Sequence, residues 1–400
     1  MPHMGDTLSG ETQISEATKS QALTQPGSPA RTTVLPRVEW VGPIPKVNPS
    51  QRHRFEELGL LGEGGMGEVV LAQDHDIERK VALKRLPENC DLGRVLRFVE
   101  EIRTVGQLEH PNIVPVHDVG VDSAGRYYFV MKHLHGETLE AIIGRLRDGD
   151  AAAHARFTMP VRLQIMLSVM NALAYAHRQG FVHRDLKPAN IMVGPYGEVT
   201  VMDWGLAKRI RAPEKDLGAA ISGPREGTAL QTQLGSIMGT PLYMSPEQAR
   251  GANDTLDERS DLYALSVVFH EFLHLEHYLK GREDIQAVLE GVKTVDPVFH
   301  IATLKGRQYQ VPAELDWFLE KGFKKDVAER YGSVDEMTDE LQRIIRGECR
   351  VHCKRTFVKR MIGEAGKFTD QRPVLLIVGG TAVLSLFLAA IVKSVMVFAN

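Results

Sequence analysis

The sequence predicts an α+β fold: a small β-rich part, then a larger and mainly helical part, with one membrane-spanning helix near the C-terminal end. Three observations predict it. Val69–Val70–Leu71–Ala72 and Val81–Ala82–Leu83–Lys84 are short, β-branched runs separated by turn punctuation at Asp74–Asp76. From Asp261 the run DLYALSVVFHEFL reads as an apolar helix. From Val374 to Val392 no residue is charged for 19 positions, the length that crosses a bilayer core.

Each part has its own compositional support. The 400 residues are 43% apolar and 25% charged, the proportions of an ordinary globular chain with a sizeable core. A net charge of −3 gives no global attraction to nucleic acid. Residues 1–52 are rich in Ser, Thr, Pro, Gly and Gln with balanced charge, and are expected as a disordered arm. That arm lacks the basic start and apolar run of a secretory signal. Three cysteines are too few for a disulfide framework, which fits a reducing compartment. Cys349 and Cys353 flank His352, but no second cysteine pair completes a zinc site, so they read as ordinary thiols.

The charge-free run carries only Thr381 and Ser385 as polar residues, unlike a core helix with a polar stripe. Residues 346–372 before it hold Arg346, Arg350, Lys354, Arg355, Lys359, Arg360, Lys367 and Arg372 against Glu348, Glu364 and Asp370. A flank so basic is expected on the cytoplasmic side, in reach of anionic lipid head groups, with residues 393–400 on the far side.

Residues 62–69 read GEGGMGEV, placing Gly62, Gly64 and Gly67 in a G-x-G-x-x-G pattern. Dinucleotide-binding folds put that pattern between a strand and a helix. Here strands follow instead, so the glycines are expected in a hairpin turn whose backbone N–H groups can close over phosphates. Further along, residues 183–190 read HRDLKPAN, and Asp203–Trp204–Gly205 follows. Phosphoryl transfer requires a carboxylate to orient the hydroxyl, a cation to absorb charge and hard oxygen ligands for magnesium. These strings contain all of them.

On these motifs the chain resembles the bacterial branch of the eukaryotic-type (Hanks-type) serine/threonine protein kinases, over residues 54 to about 345. The resemblance implies a bilobal protein-kinase fold, with an N-lobe at 53–134 and a C-lobe at 135–347. A basic linker at 348–373, the span at 374–392 and a short tail complete the expected organisation. It implies ATP as donor, magnesium as the metal with manganese as a substitute, and protein Ser/Thr hydroxyls as acceptors in signal transduction. Lys84 is then the residue on the α- and β-phosphates, fixed by Glu101 in a helix expected from Leu92 to Leu108. Counting back from HPNIV at 110–114, as the family aligns, selects Glu101 over Glu100. Val69 and Ala82 would pack on adenine, Met131 would be the gatekeeper, and backbone near Lys132–Leu134 would bond the base.

The resemblance further implies that Asp185 is the base, Lys187 the cation at the γ-phosphate, and Asn190 and Asp203 the metal ligands. Lys187 with GTPLYMSPE at 239–247 points to Ser/Thr rather than Tyr specificity. Thr240 would bridge Asp185 and Lys187, Glu247 would pair with Arg330, and Asp261 would anchor the catalytic-loop backbone. Arg184 before the base implies control by a phosphate on the activation segment. Thr232, eight residues before Thr240, is the expected site, Ser236 the fallback, and a second copy of the chain the expected partner in trans. Trp204 stands where Phe is commoner, Ser266 where glycine is common, Lys132 where Glu is frequent, and Ser245 where Ala precedes Pro-Glu.

A rival motif is present. His270-Glu271-Phe272-Leu273-His274 matches the H-E-x-x-H zinc pattern, with His277 nearby. It falls within the helix that the kinase fold buries, so the histidines are expected to serve packing. A pseudokinase scaffold would lack catalytic groups that are all present here. A small-molecule phosphotransferase would not need the Ser-Pro-Glu platform. Expected partners are therefore ATP, protein substrates, membrane lipid and a second copy, and no nucleic acid. The expected location is a bacterial inner membrane, single-pass, with the kinase domain cytoplasmic.

Overall fold

In the computed structural model the described residues are 31–348, apart from 50–51, 65–66, 89, 210–239, 253–255, 283 and 298–310, together with residue 361. They divide into two units, one comprising the described residues up to Thr138 with Asn190–Arg209, the other taking the remainder.

The first unit opens with strands β1 (Arg37–Val41) and β2 (Ile44–Asn48). Its main sheet follows: β3 (Phe55–Gly64), β4 (Gly67–Asp74) and β5 (Arg79–Arg85), then helix α1 (Leu92–Gln107), β6 (Val116–Val121) and β7 (Tyr127–Lys132). The order is β3-β4-β5-β7-β6, antiparallel throughout. Alternation dictates its faces: Val70 and Ala72 turn inward while Val69 and Leu71 do not. Val70, Ala72, Val81, Leu83, Tyr128 and Val130 form one core cluster. Helix α1 starts at Asp91, whose side chain caps the Arg94 N–H, and turns Phe98, Glu101 and Val105 inward at helical spacing. Phe98 meets Leu86 and Phe129 in a second cluster. Strands β8 (Glu137–Thr138), β9 (Ile191–Val193) and β10 (Val199–Val201) form a small sheet with β9 in the centre. Ile113 bridges Val201 in parallel.

The sequence leads one to expect disorder throughout residues 1–52, yet residues 31–48 are structured. Thr33 and Arg54 donate backbone N–H groups to the carbonyls of Arg52 and Arg31, and Thr33 is buried. Val34 and Leu35 donate to Asp76 Oδ1 at 2.8 and 2.9 Å, and Arg31 pairs with Asp118. From this base β1 and β2 project as a hairpin with Gly42, φ +65°, in its turn. Pro and Gly hide the segment in composition, because its order depends on Asp76 and Asp118 far along the chain.

In the second unit the helices are α2 (Leu139–Arg147), α3 (Ala151–Arg156), α4 (Met159–Arg178), α5 (Pro246–Ala249), α6 (Glu258–His274), α7 (Ile285–Thr294), α8 (Ala313–Gly322) and α9 (Val334–Ile345). Helix α6 is buried from Ser260 to Leu273, so it carries apolar residues on every side, and its buried polar residues such as Asp261 and Glu271 are bonded to protein. It stops at Leu275, a left-handed residue whose N–H bonds Glu271 O. A Cβ on Gly322 would come within 1.9 Å of Ser266 Oγ, so that glycine lets α8 approach α6. The Ser266 hydroxyl satisfies itself on Leu262 O at 2.7 Å. Among the described residues no helix is long and apolar enough to cross a membrane; the expected span at 374–392 lies outside them, as do Cys349 and Cys353.

Candidate active site

Each unit carries its own set of functional groups. In the first, Gly67 has φ +131°, and a Cβ there would stand 2.1 Å from Arg85 O, so only glycine closes the β3–β4 turn. A Cβ on Gly62 or Gly64 would meet nothing within 4 Å. Their backbone faces open space, as a phosphate cradle requires.

Lys84 stands on β5 opposite Val69 and Phe129, and Ala82 opposite Met131. Lys84 Nζ donates to Glu101 Oε1 at 2.6 Å and lies 3.8 Å from Asp203 Oδ1. Glu101 is buried, and Lys84 nearly so. Burial would lower the Lys84 pKa, but the Glu101 and Asp203 carboxylates outweigh it and raise it, so the ammonium is secure. Burial pushes the Glu101 carboxyl up, Lys84 opposing and Asp203 reinforcing. Asp203 holds a left-handed backbone, φ +59°, and its side chain is 43% exposed. Left-handed non-glycine residues of this kind cluster at functional sites. The Met202 N–H donates to Asn190 O at 2.8 Å, tying the stretch before Asp203 to the buried Asn190. Trp204 is fully buried. Lys132 donates its N–H to Pro115 O at 3.2 Å, and Leu134 is half-buried.

In the second unit Lys187 Nζ donates to Asp185 Oδ2 at 2.7 Å. Arg184, next to Asp185 in the chain, adopts φ +70°. Asp261 sets this geometry: its Oδ2 accepts from the His183 N–H at 2.8 Å and its Oδ1 from the Arg184 N–H at 2.9 Å. His177 Nε2 lies 2.8 Å from Oδ2. Burial alone would raise the Asp261 pKa, but the His177 bond, the charges of His177 and His183 and the Arg184 N–H bring it below the usual range. Gln248 Nε2 donates to Arg184 O at 2.8 Å, so the strained residue is held at both its N–H and its carbonyl.

Glu247 and Arg330 meet in a bidentate pair, both bonds 2.8 Å, and Ser260 Oγ adds a third at 2.8 Å. Burial opposes ionisation of Glu247, but Arg330 outweighs it and lowers the pKa. Sequence reasoning missed His177, Gln248 and Tyr243. Gln248 had a visible signal, since Ser245-x-x-Gln248 is a capping box and both of its bonds form. His177 had none. Tyr243 donates to Glu271 Oε2 at 2.6 Å, and Arg147 Nη2 to Glu271 Oε1 at 3.1 Å. The glutamate of the H-E-x-x-H string is thus committed to protein partners. His274 pairs with Asp316 at 3.1 Å, and burial, then His274 and His277, drive the His270 pKa well below normal. Among the described residues no cluster of His, Cys, Asp and Glu forms a metal cage. Thr232, Ser236 and the Thr240 side chain lie outside the described residues.

Residues 55–341 match the family described as the protein kinase domain. The chain is 32% identical over 316 residues to the serine/threonine-protein kinase PknD of Protochlamydia amoebophila, covering 76% of this chain and 31% of that protein. It is 35% identical over 302 residues to the serine/threonine-protein kinase PknB of Mycobacterium tuberculosis, covering 74% of this chain and 43% of that protein. The chain thus spans less than half the length of either relative.

Proposed function

The chain belongs to the protein kinase family, in its bacterial Hanks-type serine/threonine branch, and on that premise we propose that it transfers the γ-phosphate of ATP to Ser or Thr of proteins. The observation that carries this reading is the Lys84 ammonium held between Glu101 at 2.6 Å and Asp203 at 3.8 Å. A cation secured in this way is positioned to bind α- and β-phosphates under the open backbone of Gly62 and Gly64. The Asn190 amide oxygen and the Asp203 carboxylate, both hard donors, would hold magnesium, or manganese in its place, which when bound supplies neutralising charge to the phosphate oxygens. Asp185 would orient the acceptor hydroxyl and accept its proton, while Lys187 stabilises charge on the transferred group. Val69, Ala82, Met131 and Leu134 would form the adenine surroundings.

The test pairs Lys84→Met with Asp185→Asn. Both are expected to lose phosphate transfer, Asp185→Asn by roughly 10²–10⁴-fold, with unchanged circular dichroism. Transfer by either variant at the unmutated rate would overturn the assigned roles.

Two finer proposals accompany it. The charge-free run at 374–392 and its basic flank support a single span with the kinase domain cytoplasmic and the flank on anionic lipid. Arg184, left-handed beside the base, supports control by phosphorylation of the activation segment, with a second copy acting in trans on Thr232. Mass spectrometry of active protein is expected to find phosphate on Thr232. An unmodified Thr232, with full activity in Thr232→Ala, would place the switch elsewhere.

A further inference from the structure

None of the residues assigned to phosphate transfer lies on the β1–β2 hairpin, yet it is built with a pattern. Its register pairs Val38 with Val47 and Trp40 with Pro45 on one face, and Arg37 with Asn48 and Glu39 with Lys46 on the other. Val41 pairs with Ile44 beside the turn, so the tip is apolar on both faces. All six apolar residues are exposed, Trp40 at 70% and Val47 at 59%. A two-stranded hairpin is marginal in water, and a contiguous apolar patch marks an interaction site. The base is pinned by the bonds of Thr33, Val34 and Leu35, so the wedge is presented rather than trailing.

We propose that this hairpin is an interfacial anchor that inserts Trp40 and its apolar neighbours into the head-group region of an anionic phospholipid bilayer. Charge chooses the occupant. Arg37 and Lys46 outnumber Glu39 on the polar face, and Arg37 spends part of its charge on Glu39 at 3.5 Å. The net positive charge left on the polar face is attracted by anionic lipid. Tryptophan is the side chain most at home at that depth, and Arg and Lys stems reach outward to phosphates from beside it. The linker at 348–373 could span up to about 90 Å when extended, a length that lets the hairpin meet the same bilayer. The proposal uses the membrane reading above only for that proximity.

Trp40 is its own probe, because Trp204 is fully buried and only Trp317 is otherwise exposed. Full-length protein is reconstituted into vesicles of phosphatidylcholine with phosphatidylglycerol, half of them carrying brominated acyl chains. Tryptophan emission is expected to be quenched by the bromolipid, and that quenching to disappear in Trp40→Phe. It is expected to weaken in Arg37→Glu/Lys46→Glu and in pure phosphatidylcholine. Trp40 emission quenched only by aqueous acrylamide, equally with and without lipid, would overturn the proposal. So would lipid-independent shielding that grows with protein concentration, the mark of a second copy. Trp40→Phe is expected to keep full phosphate transfer. Absence of transfer in every sample would count against the kinase reading alone, and release of the protein by alkaline carbonate against the 374–392 span alone.

Discussion

Single residues carry most of the site, and they differ in how visible they are in sequence. Asp185, Lys187 and Asn190 lie in one eight-residue string, so adjacency exposes them. Lys84 and Glu101 are legible through the resemblance, Lys84 from Val81–Ala82–Leu83–Lys84 and Glu101 by counting back from HPNIV, and α1 buries Glu101. His177 is not legible as a site residue, because its partner Asp261 is distant in sequence, and for Gln248 the capping box is legible but its bond to Arg184 is not. His277, expected from sequence to serve packing, yields a pH prediction. Burial lowers its pKa from the usual 6.5 to about 4, a backbone bond to Leu242 opposing. Between those values the unfolded chain takes up a proton that the folded chain refuses, so stability rises with pH there and falls as pH drops from 6.5 to 4. His277→Asn, which can still accept from the Leu279 N–H, is expected to flatten that part of the stability–pH curve. Denaturant titrations at pH 4.5 and 7 on both proteins measure the difference.

At the scale of elements, helices were easier to foresee than the contacts that fix them. The α1 boundaries and the burial of α6 follow from the family resemblance, and the apolar run from Asp261 supports the second. The close approach of Gly322 to Ser266 does not, because each is ordinary in its own helix. The tie between α5 and the segment after α8 differs: the family resemblance implies a Glu247–Arg330 pair, and the pair forms. The Arg330 side chain is fully buried and both Glu247 oxygens are occupied by it. Removing one partner leaves an uncompensated charge, so Arg330→Met is expected to cost about 3–5 kcal/mol. Glu247→Gln/Arg330→Met is expected to recover part of it. Equal stability of wild type and Arg330→Met in urea unfolding would show the pair to be energetically idle.

At the scale of the whole molecule, the sequence divides cleanly into a compositionally biased start, a patterned middle and an apolar end. Composition misleads at one place: residues 31–48 read as disorder and fold as a pinned hairpin. A chain ending at Gly347 is expected to be soluble and active, whereas the full chain should resist extraction by high salt and alkaline carbonate. Fractionation of both, with activity measured in each fraction, checks this. The first unit also has a topological property with practical weight. It is discontinuous, taking Asn190–Arg209 back from beyond an excursion of some fifty residues. A gene fragment encoding residues 53–138 would therefore lack β9, β10, Asn190 and Asp203, and with them the centre and one edge of the small sheet. The unit that carries Lys84, Glu101 and Asp203 cannot be subcloned as one contiguous piece. A permuted gene, joining residue 138 to residue 190 by a short linker, is what an isolated version would require.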